Sequence, residues 1–143
     1  MIVDFHYKVA KEFIDLNHHL TETGYYHYAI QGIWDLNKEH KLIDLYEKYK
    51  IGPIIFDTQI FFQKEVFENE MITVSPRLKF ISNDGRKWQR TIKIFRENGG
   101  QSAHLLSNGA YLSHATRKVV TPPKEIVDAI SNLNALMENH NLD

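Results

Sequence analysis

Residues 13–28 read FIDLNHHLTETGYYHY and contain the point where the pattern changes from strand-like to helix-like. Upstream, from residue 2 to about 14, β-forming residues alternate with polar ones and predict an extended segment. Downstream of Thr21, apolar residues recur at helical spacing, at Tyr26, Ala29, Ile30, Ile33 and Trp34. Thr21 is a suitable N-cap, although Gly24 stands where a capping box has glutamate or glutamine. The stretch therefore predicts a polar loop that leads into a long helix.

The chain beyond this helix predicts a second, shorter helix and then two alternating strands. The second helix, LIDLYEKY, runs to about Tyr49 and is stopped by Gly52-Pro53. In IIFDTQIFFQKEV the even-numbered positions predict one apolar face, made of Ile54, Phe56, Ile60, Phe62 and Val66. MITVSPRLKFI repeats the alternation, and Pro76 indicates an edge position or a bulge.

The last part of the sequence predicts two more strands and a terminal helix. SNDGRK is typical of a hairpin turn because Asp84-Gly85 favours positive φ angles. KWQRTIKIF follows as a strand, ENGGQ turns again, and AHLLSNGAYLSHATRKVV carries apolar residues on both faces, as a central strand does. TPPKEIVDAISNLNALMENH is amphipathic, with Pro122 and Pro123 at its start. The whole order predicts one α+β domain over residues 1–143, with an antiparallel sheet wrapped around the long helix and a C-terminal helix.

Composition excludes several classes of protein. The 143 residues include 17 Lys and Arg against 18 Asp and Glu, a net charge of −1, so neither nucleic acid nor an anionic membrane is expected as partner. The absence of cysteine excludes disulfides, thiolate nucleophiles and cysteine-ligated zinc. We see no signal-peptide pattern and no stretch near the roughly 20 apolar residues of a membrane span. We therefore expect a soluble, cytoplasmic protein.

Histidines and carboxylates near the helix start raise the question of a metal site. The candidates are His18, His19, Glu22 and His27. The HExxH spacing is absent, and only His18 and Glu22 form an i, i+4 pair. We therefore expect neither a metal ion nor a redox cofactor.

The motif DLNHHLTE at residues 15–22, followed by Tyr25, resembles a known family pattern. It is similar to D-x-N-G-H-M-T-E-x-x-Y of the acyl-CoA thioesterases related to 4-hydroxybenzoyl-CoA thioesterase, in particular the betainyl-CoA thioesterase-like branch. Weaker similarity continues through FDTQIFFQKEVFENE and DGRKWQRTIKIF to HATRKVVTPP. The resemblance implies the hot-dog fold, hydrolysis of a small or polar acyl-CoA to free acid and CoA, and a homodimer or dimer of dimers with sites built across the interface.

Two positions depart from the family pattern. His18 stands where the family has glycine, which adds bulk and a titratable group at the turn. Asn17 stands where several hot-dog thioesterases place a catalytic aspartate. An amide does not ionise in the useful range, so Asn17 can act neither as nucleophile nor as general base. Another carboxylate must help in hydrolysis, or Asn17 must only orient water.

Thioester hydrolysis needs an activated water or nucleophile and a stabilised oxyanion. Helix N–H groups from His19 to Gly24 would supply the oxyanion site. Glu22 is placed to activate water, Asp15 to orient His19 or accept a proton, and Asn17 to contact the carbonyl or the water. The same residues also have simpler explanations, because Asp15 and Thr21 could simply cap the helix and Glu22 favours a helix N-terminus.

Further candidates would bind the substrate. Thr21 and Tyr25 belong to the motif, and Tyr25 could join Tyr26, Tyr28, Trp34 and Trp88 in a cation–π cage for a betaine-like acyl group, although such residues usually fill a core. Basic residues could pair with CoA phosphates or simply face solvent at a sheet end: Arg86, Lys87 and Arg90, with Arg117 and Lys118 as a second cluster. Asp57 and Gln59 could reach a partner's helix N-terminus or face solvent.

Two rival functions use the same residues. Hot-dog enoyl-CoA hydratases carry D-x-N-P-x-H, which DLNHH resembles without the proline and with His19 one residue early. A non-catalytic acyl-CoA-binding hot-dog dimer would explain Asn17 and His18. Sequence does not determine the acyl group, the choice between CoA and acyl-carrier protein, the acting carboxylate or the choice between dimer and tetramer.

Overall fold

A computed structural model describes residues 2–138 of the chain. In chain order its elements are β1 (Phe5–Lys8), a single 3₁₀ turn (Lys11–Phe13), α1 (Glu22–Glu39), α2 (Leu42–Tyr49), β2 (Ile51–Phe62), β3 (Met71–Ile81), β4 (Lys87–Phe95), β5 (Gln101–Ser113) and α3 (Lys124–Glu138). This is the predicted order, with the long helix after the first strand and a helix at the end. Within residues 2–138, no helix combines the length and the apolar character that crossing a bilayer requires.

The strands form one five-stranded sheet in the order β1-β3-β4-β5-β2. β1 pairs antiparallel with β3, from Phe5 opposite Val74 to Lys8 opposite Met71. Tight turns join β3 to β4 and β4 to β5, with Gly85 and Gly99 at positive φ angles of 75° and 89°. β5 lies between β4 and β2, which confirms that it is a central strand.

By its backbone contacts the chain divides into two compact units. The first comprises residues 1–36, 59–76 and 92–105, and the second comprises residues 37–58, 77–91 and 106–143. The prediction of one domain over residues 1–143 stays a prediction. The core of the first unit consists of fully or nearly fully buried side chains from the N-terminal segment, α1, the segment after β2, β3, β4 and β5: Val9, Leu20, Tyr25, Tyr28, Ala29, Val66, Ile72, Val74, Ile92, Ile94, Ala103 and Leu105.

The second unit is held by its own set of contacts. Tyr46 of α2 packs near Tyr111 of β5, with ring centroids 6.1 Å apart. Burial raises the pKa of Tyr46 to about 12 and moves that of Tyr111 in the same direction. Glu125 of α3 accepts hydrogen bonds from Lys48 Nζ at 3.0 Å and from the Tyr49 hydroxyl of α2. These bonds fasten the terminal helix to α2.

Several predicted boundaries are wrong. The extended N-terminal segment is a strand only over Phe5–Lys8, because β3 begins at Met71 and offers no ladder partner beyond it. α2 ends at Tyr49, as predicted, but its C-cap is Lys50, whose φ is 52°, and the predicted stop at Gly52 and Pro53 is wrong because both lie inside β2. The last long strand ends at Ser113, well before Val120, and a loop leads from there to α3.

The predicted apolar face of β2 is only partly buried. Ile54 and Ile60 are half-buried, but Phe56 and Phe62 are 58% and 50% exposed. Val66 is fully buried but lies beyond the end of the strand. Alternation identifies which side chains share a face, but it does not show whether the same chain covers that face.

Candidate active site

The polar stretch before α1 folds as a tight turn from Asp15 to His19. The His18 N–H donates to the Asp15 carbonyl at 3.0 Å, and the Asp15 N–H donates to the His19 carbonyl at 3.3 Å. The Asn17 N–H donates to Asp15 Oδ1 at 2.8 Å. His18 adopts a left-handed φ of 60°, a conformation that glycine adopts without steric cost. The family pattern has glycine at this position, and glycine suits the left-handed conformation that His18 adopts here.

Thr21 caps the helix that follows, as the sequence predicts. Its Oγ1 accepts the Gly24 N–H at 3.0 Å. A Cβ atom on Gly24 would lie 2.4 Å from Leu20 Cδ1, so the glutamate or glutamine of a capping box has no room there. The Leu20 and Thr21 N–H groups donate to the carbonyl oxygens of Val66 and Phe13.

These bonds correct the predicted oxyanion site. We expected N–H donors from His19 to Gly24, but those of Leu20, Thr21 and Gly24 already have acceptors. Helix geometry leaves the first N–H groups, those of Glu22 and Thr23, without an intrahelical acceptor. They lie at the positive end of the α1 dipole, where a developing negative charge is stabilised.

The segment after β2 lies against the helix start and is fastened to β5. The N–H groups of Gln63 and Lys64 donate to the Ser102 carbonyl at 2.8 and 3.1 Å. The Lys64 carbonyl accepts from Ser102 Oγ at 2.7 Å and from the Tyr25 hydroxyl at 3.0 Å. Burial raises the pKa of Tyr25, so its hydroxyl stays protonated as a donor. The motif tyrosine therefore joins α1 to this segment.

The turn, the first helical turn and the segment after β2 enclose a cleft of about 400 Å³. Every candidate residue of the motif lines it, and all the lining residues belong to the first unit. The lining residues are Asp15, Asn17, His19, Leu20, Thr21, Glu22, Tyr25, Phe62, Gln63, Lys64 and Glu65. The volume lies in the range of small-molecule sites.

His19 lies between two carboxylates in this cleft. Asp15 Oδ1 is 3.8 Å from Nε2, and Glu65 Oε1 is 3.4 Å from Nδ1. Glu65 could not be predicted as part of the site, because nothing local marks an acidic residue in a loop as a neighbour of a distant histidine. Its position just after an alternating strand is the only signal that the sequence offers.

The family match spans this whole site. A family model described as the thioesterase-like superfamily matches residues 9–130. The chain belongs to the thioesterase-like superfamily. The matched range begins before the turn and ends within α3, so it includes every residue of the cleft. No curated protein sequence matches the chain at a significant level.

Solved structures share the fold of this superfamily member at low sequence identity. A hypothetical protein from Staphylococcus aureus in complex with CoA has a TM-score of 0.84 at 15% identity, over 94% of this chain and 85% of its own. YbaW, a probable thioesterase from Escherichia coli, has a TM-score of 0.81 at 15% identity, over 90% of this chain and 96% of its own. The DHNA-CoA thioesterase from Staphylococcus aureus has a TM-score of 0.81 at 16% identity, over 98% of this chain and 95% of its own. The predicted α+β hot-dog fold is confirmed, and the betainyl-CoA thioesterase-like branch stays a prediction.

The substrate-binding candidates outside the motif do not line the cleft. Asp57, Arg86, Lys87 and Arg90 belong to the second unit, and Gln59 is an exposed residue of β2. Asp57 Oδ1 accepts from Asn108 Nδ2 at 2.7 Å. Arg90 is 8% exposed, and its guanidinium lies 5.4 Å from the centroid of the Trp88 ring. Arg90 is thus a buried residue rather than part of a solvated sheet end, whereas Arg86 and Lys87 are exposed.

The proposed aromatic cage is not assembled in the cleft. Of its members, Tyr25 alone lines the cleft. Tyr28 belongs to the core, where its hydroxyl accepts the Ala10 N–H at 2.9 Å, and Trp34 is 56% exposed. Trp88 is a buried residue of the second unit.

Of His18, His19, Glu22 and His27, the four candidate metal ligands, only His19 and Glu22 line the cleft. His27 stacks on Phe13 with ring centroids 4.5 Å apart. In the part of the chain that the structure describes, no group of three or more histidine, aspartate or glutamate side chains is arranged to hold a metal ion.

Proposed function

We propose that this chain hydrolyses a small or polar acyl-CoA thioester to the free acid and CoA. The observation that carries the proposal is the cleft, which Glu22 at the N-terminus of α1 lines together with Asp15, Asn17 and His19 of the turn. Membership of the thioesterase-like superfamily supports the reaction class. A similar structure holds CoA, and another is named a DHNA-CoA thioesterase, which supports CoA as the carrier.

In the proposed reaction the helix N-terminus polarises the thioester carbonyl, and the Glu22 carboxylate activates the attacking water. The thioester carbonyl oxygen accepts a hydrogen bond from the Glu22 N–H group, which lies at the positive end of the α1 dipole, and this polarises the carbonyl carbon. The Glu22 carboxylate takes a proton from water as the water oxygen bonds to that carbon. The C–S bond then breaks and releases CoA as thiolate.

The turn residues orient the reactants and complete the proton transfer. Asn17 supplies amide groups that fix the carbonyl or the attacking water. His19 carries the proton from Glu22 to the departing thiolate, with Asp15 beside its ring. The cleft suits a small or polar acyl group because its volume is about 400 Å³ and charged and amide side chains line it beside the apolar surface of Leu20, Tyr25 and Phe62.

Thiol release tests the reaction directly, because the chain has no cysteine that could react with the dye. Betainyl-CoA, acetyl-CoA and an aromatic acyl-CoA form the panel. We expect saturable release with at least one of them, and Glu22→Gln and Asp15→Asn to lower kcat by roughly 10²–10⁴. Glu39→Gln, an exposed carboxylate at the other end of α1, is the matched control and keeps full activity.

Two outcomes would contradict the proposal. The folded protein could release no thiol from any acyl-CoA, which would favour a binding function. Alternatively it could hydrate crotonyl-CoA faster than it hydrolyses any thioester, which would favour the hydratase.

We also propose that two copies associate through β2, as a homodimer or as half of a dimer of dimers. β2 is an edge strand of twelve residues, and its large side chains Ile55, Phe56, Phe61 and Phe62 are 39–58% exposed. A long apolar edge favours pairing with another strand. Sedimentation equilibrium is expected to give at least twice the 16.8 kDa chain mass, and Phe56→Lys to lower it. A monomer at all concentrations would overturn this proposal.

A further inference from the structure

We propose that Glu65 is a positioning residue that holds His19 as the tautomer with its proton on Nδ1. Nε2 is then the nitrogen that receives and delivers the proton during thioester cleavage. The proposal deepens the proposed function and rests on it for the role of His19. It is carried by geometry, since Glu65 Oε1 lies 3.4 Å from Nδ1 of an imidazole that is 30% exposed.

The backbone on either side fixes Glu65 next to His19. Leu20, directly after His19, donates its N–H to the carbonyl of Val66, directly after Glu65, at 2.8 Å. Val66 is fully buried, so this register is anchored in the core. Lys64, directly before Glu65, is fastened through both its N–H and its carbonyl to Ser102. Neither residue can shift along the chain without breaking these bonds.

Asp15 is the less suitable partner for His19, although the sequence favours it as an i, i+4 neighbour. Its Oδ1 already accepts the Asn17 N–H at 2.8 Å and lies 3.8 Å from Nε2, farther than the 3.4 Å between Glu65 Oε1 and Nδ1. A carboxylate can only accept, so the ring nitrogen facing the nearer carboxylate carries the proton in the neutral imidazole. That nitrogen is Nδ1, and Nε2 keeps its lone pair on the side of Asp15.

Two-bond ¹H–¹⁵N correlation spectra of the folded protein report the tautomer without any substrate. Spectra are recorded at about pH 9, where an ordinary imidazole is neutral. The chain has 8 histidines, and His19→Gln assigns the signal by its loss. We expect the Nδ1–H form in the wild type and in Glu65→Gln, whose side-chain oxygen still accepts a hydrogen bond. We expect a mixture in Glu65→Ala, with Glu68→Ala, an exposed residue of the same loop, as the unchanged control.

Kinetics provide the second readout. Glu65→Ala should lower kcat by a factor on the order of ten with KM unchanged, which is a fraction of what a general acid–base group contributes. Glu65→Gln should restore most of that rate. A purely structural role would not produce this pattern, because it would change KM or thermal stability as well.

The results separate this proposal from the proposed function. An Nε2–H tautomer in the wild type, or the same tautomer in wild type and Glu65→Ala, overturns the role of Glu65 whatever the activity. The expected tautomer change without thiol release from any acyl-CoA supports the Glu65–His19 pairing and overturns the hydrolase instead.

Discussion

Gly32 of α1 faces Val74 of β3 so closely that a Cβ atom on Gly32 would lie 2.5 Å from Val74 Cγ1. Both residues belong to the first unit, and Val74 is fully buried. Alanine normally stabilises a helix relative to glycine, but here the added methyl group overpacks the core. We predict that Gly32→Ala lowers the free energy of unfolding by about 1–2 kcal/mol in urea denaturation. In a Val74→Ala background, which removes Cγ1, the same change should cost less than half as much.

Thr21 caps the N-terminus of α1 with its side-chain oxygen, so removal of this hydroxyl should weaken the helix that bears Glu22 and Tyr25. Thr21→Ala is expected to lower the free energy of unfolding by about 1 kcal/mol, while Thr21→Ser retains the hydroxyl and most of the stability. Thr23→Ala, on the same helical turn, serves as the control in thermal denaturation. Equal losses for Thr21→Ala and Thr23→Ala would mean that capping is not the cause.

His18 holds a left-handed backbone conformation that an L side chain disfavours. We predict that His18→Gly is more stable than His18→Ala by roughly 1 kcal/mol, because both remove the imidazole and only glycine removes Cβ. The comparison is made by chemical denaturation at one pH. If the two variants were equally stable, the turn would not be under backbone strain.

Glu125 makes the stability of the second unit depend on pH. Hydrogen bonds from Tyr49 and Lys48 hold its pKa below the ordinary value of 4.5. A lowered folded-state pKa stabilises the protein above the unfolded value, and this stabilisation is lost as the pH falls through the folded value. Glu125→Gln should therefore be less stable than the wild type at about pH 7, and the difference should shrink below pH 4.5. Glu47→Gln, an exposed carboxylate of α2, should show no such trend.

The order of elements was predictable because turn residues and periodicity are local signals. Asp84-Gly85 and Pro122-Pro123 mark a turn and a helix start in the sequence, and the structure has both. The exposure of Phe56 and the burial of Arg90 were not predictable, because they depend on what other elements cover.

The candidate site also has one part that the sequence predicts and another that it does not. Asp15, Asn17, His19 and Glu22 lie within one short stretch, and their shared cleft follows from one turn and one helix start. Glu65 reaches the cleft only through the pairing of Leu20 with Val66, a tertiary contact that no local pattern encodes. The N–H groups of Leu20, Thr21 and Gly24 drop out of the predicted oxyanion site for the same reason, since their acceptors include the carbonyl oxygens of Val66 and Phe13.

The bond between Leu20 and Val66 also limits how the cleft can move. The turn is closed by its own hydrogen bonds and is tied at its end to a fully buried residue, so it cannot swing outward as a lid. Opening this wall requires breaking contacts of the core, an event that belongs to sub-global unfolding rather than to loop fluctuation. A ligand of this cleft would therefore enter without any movement of this wall.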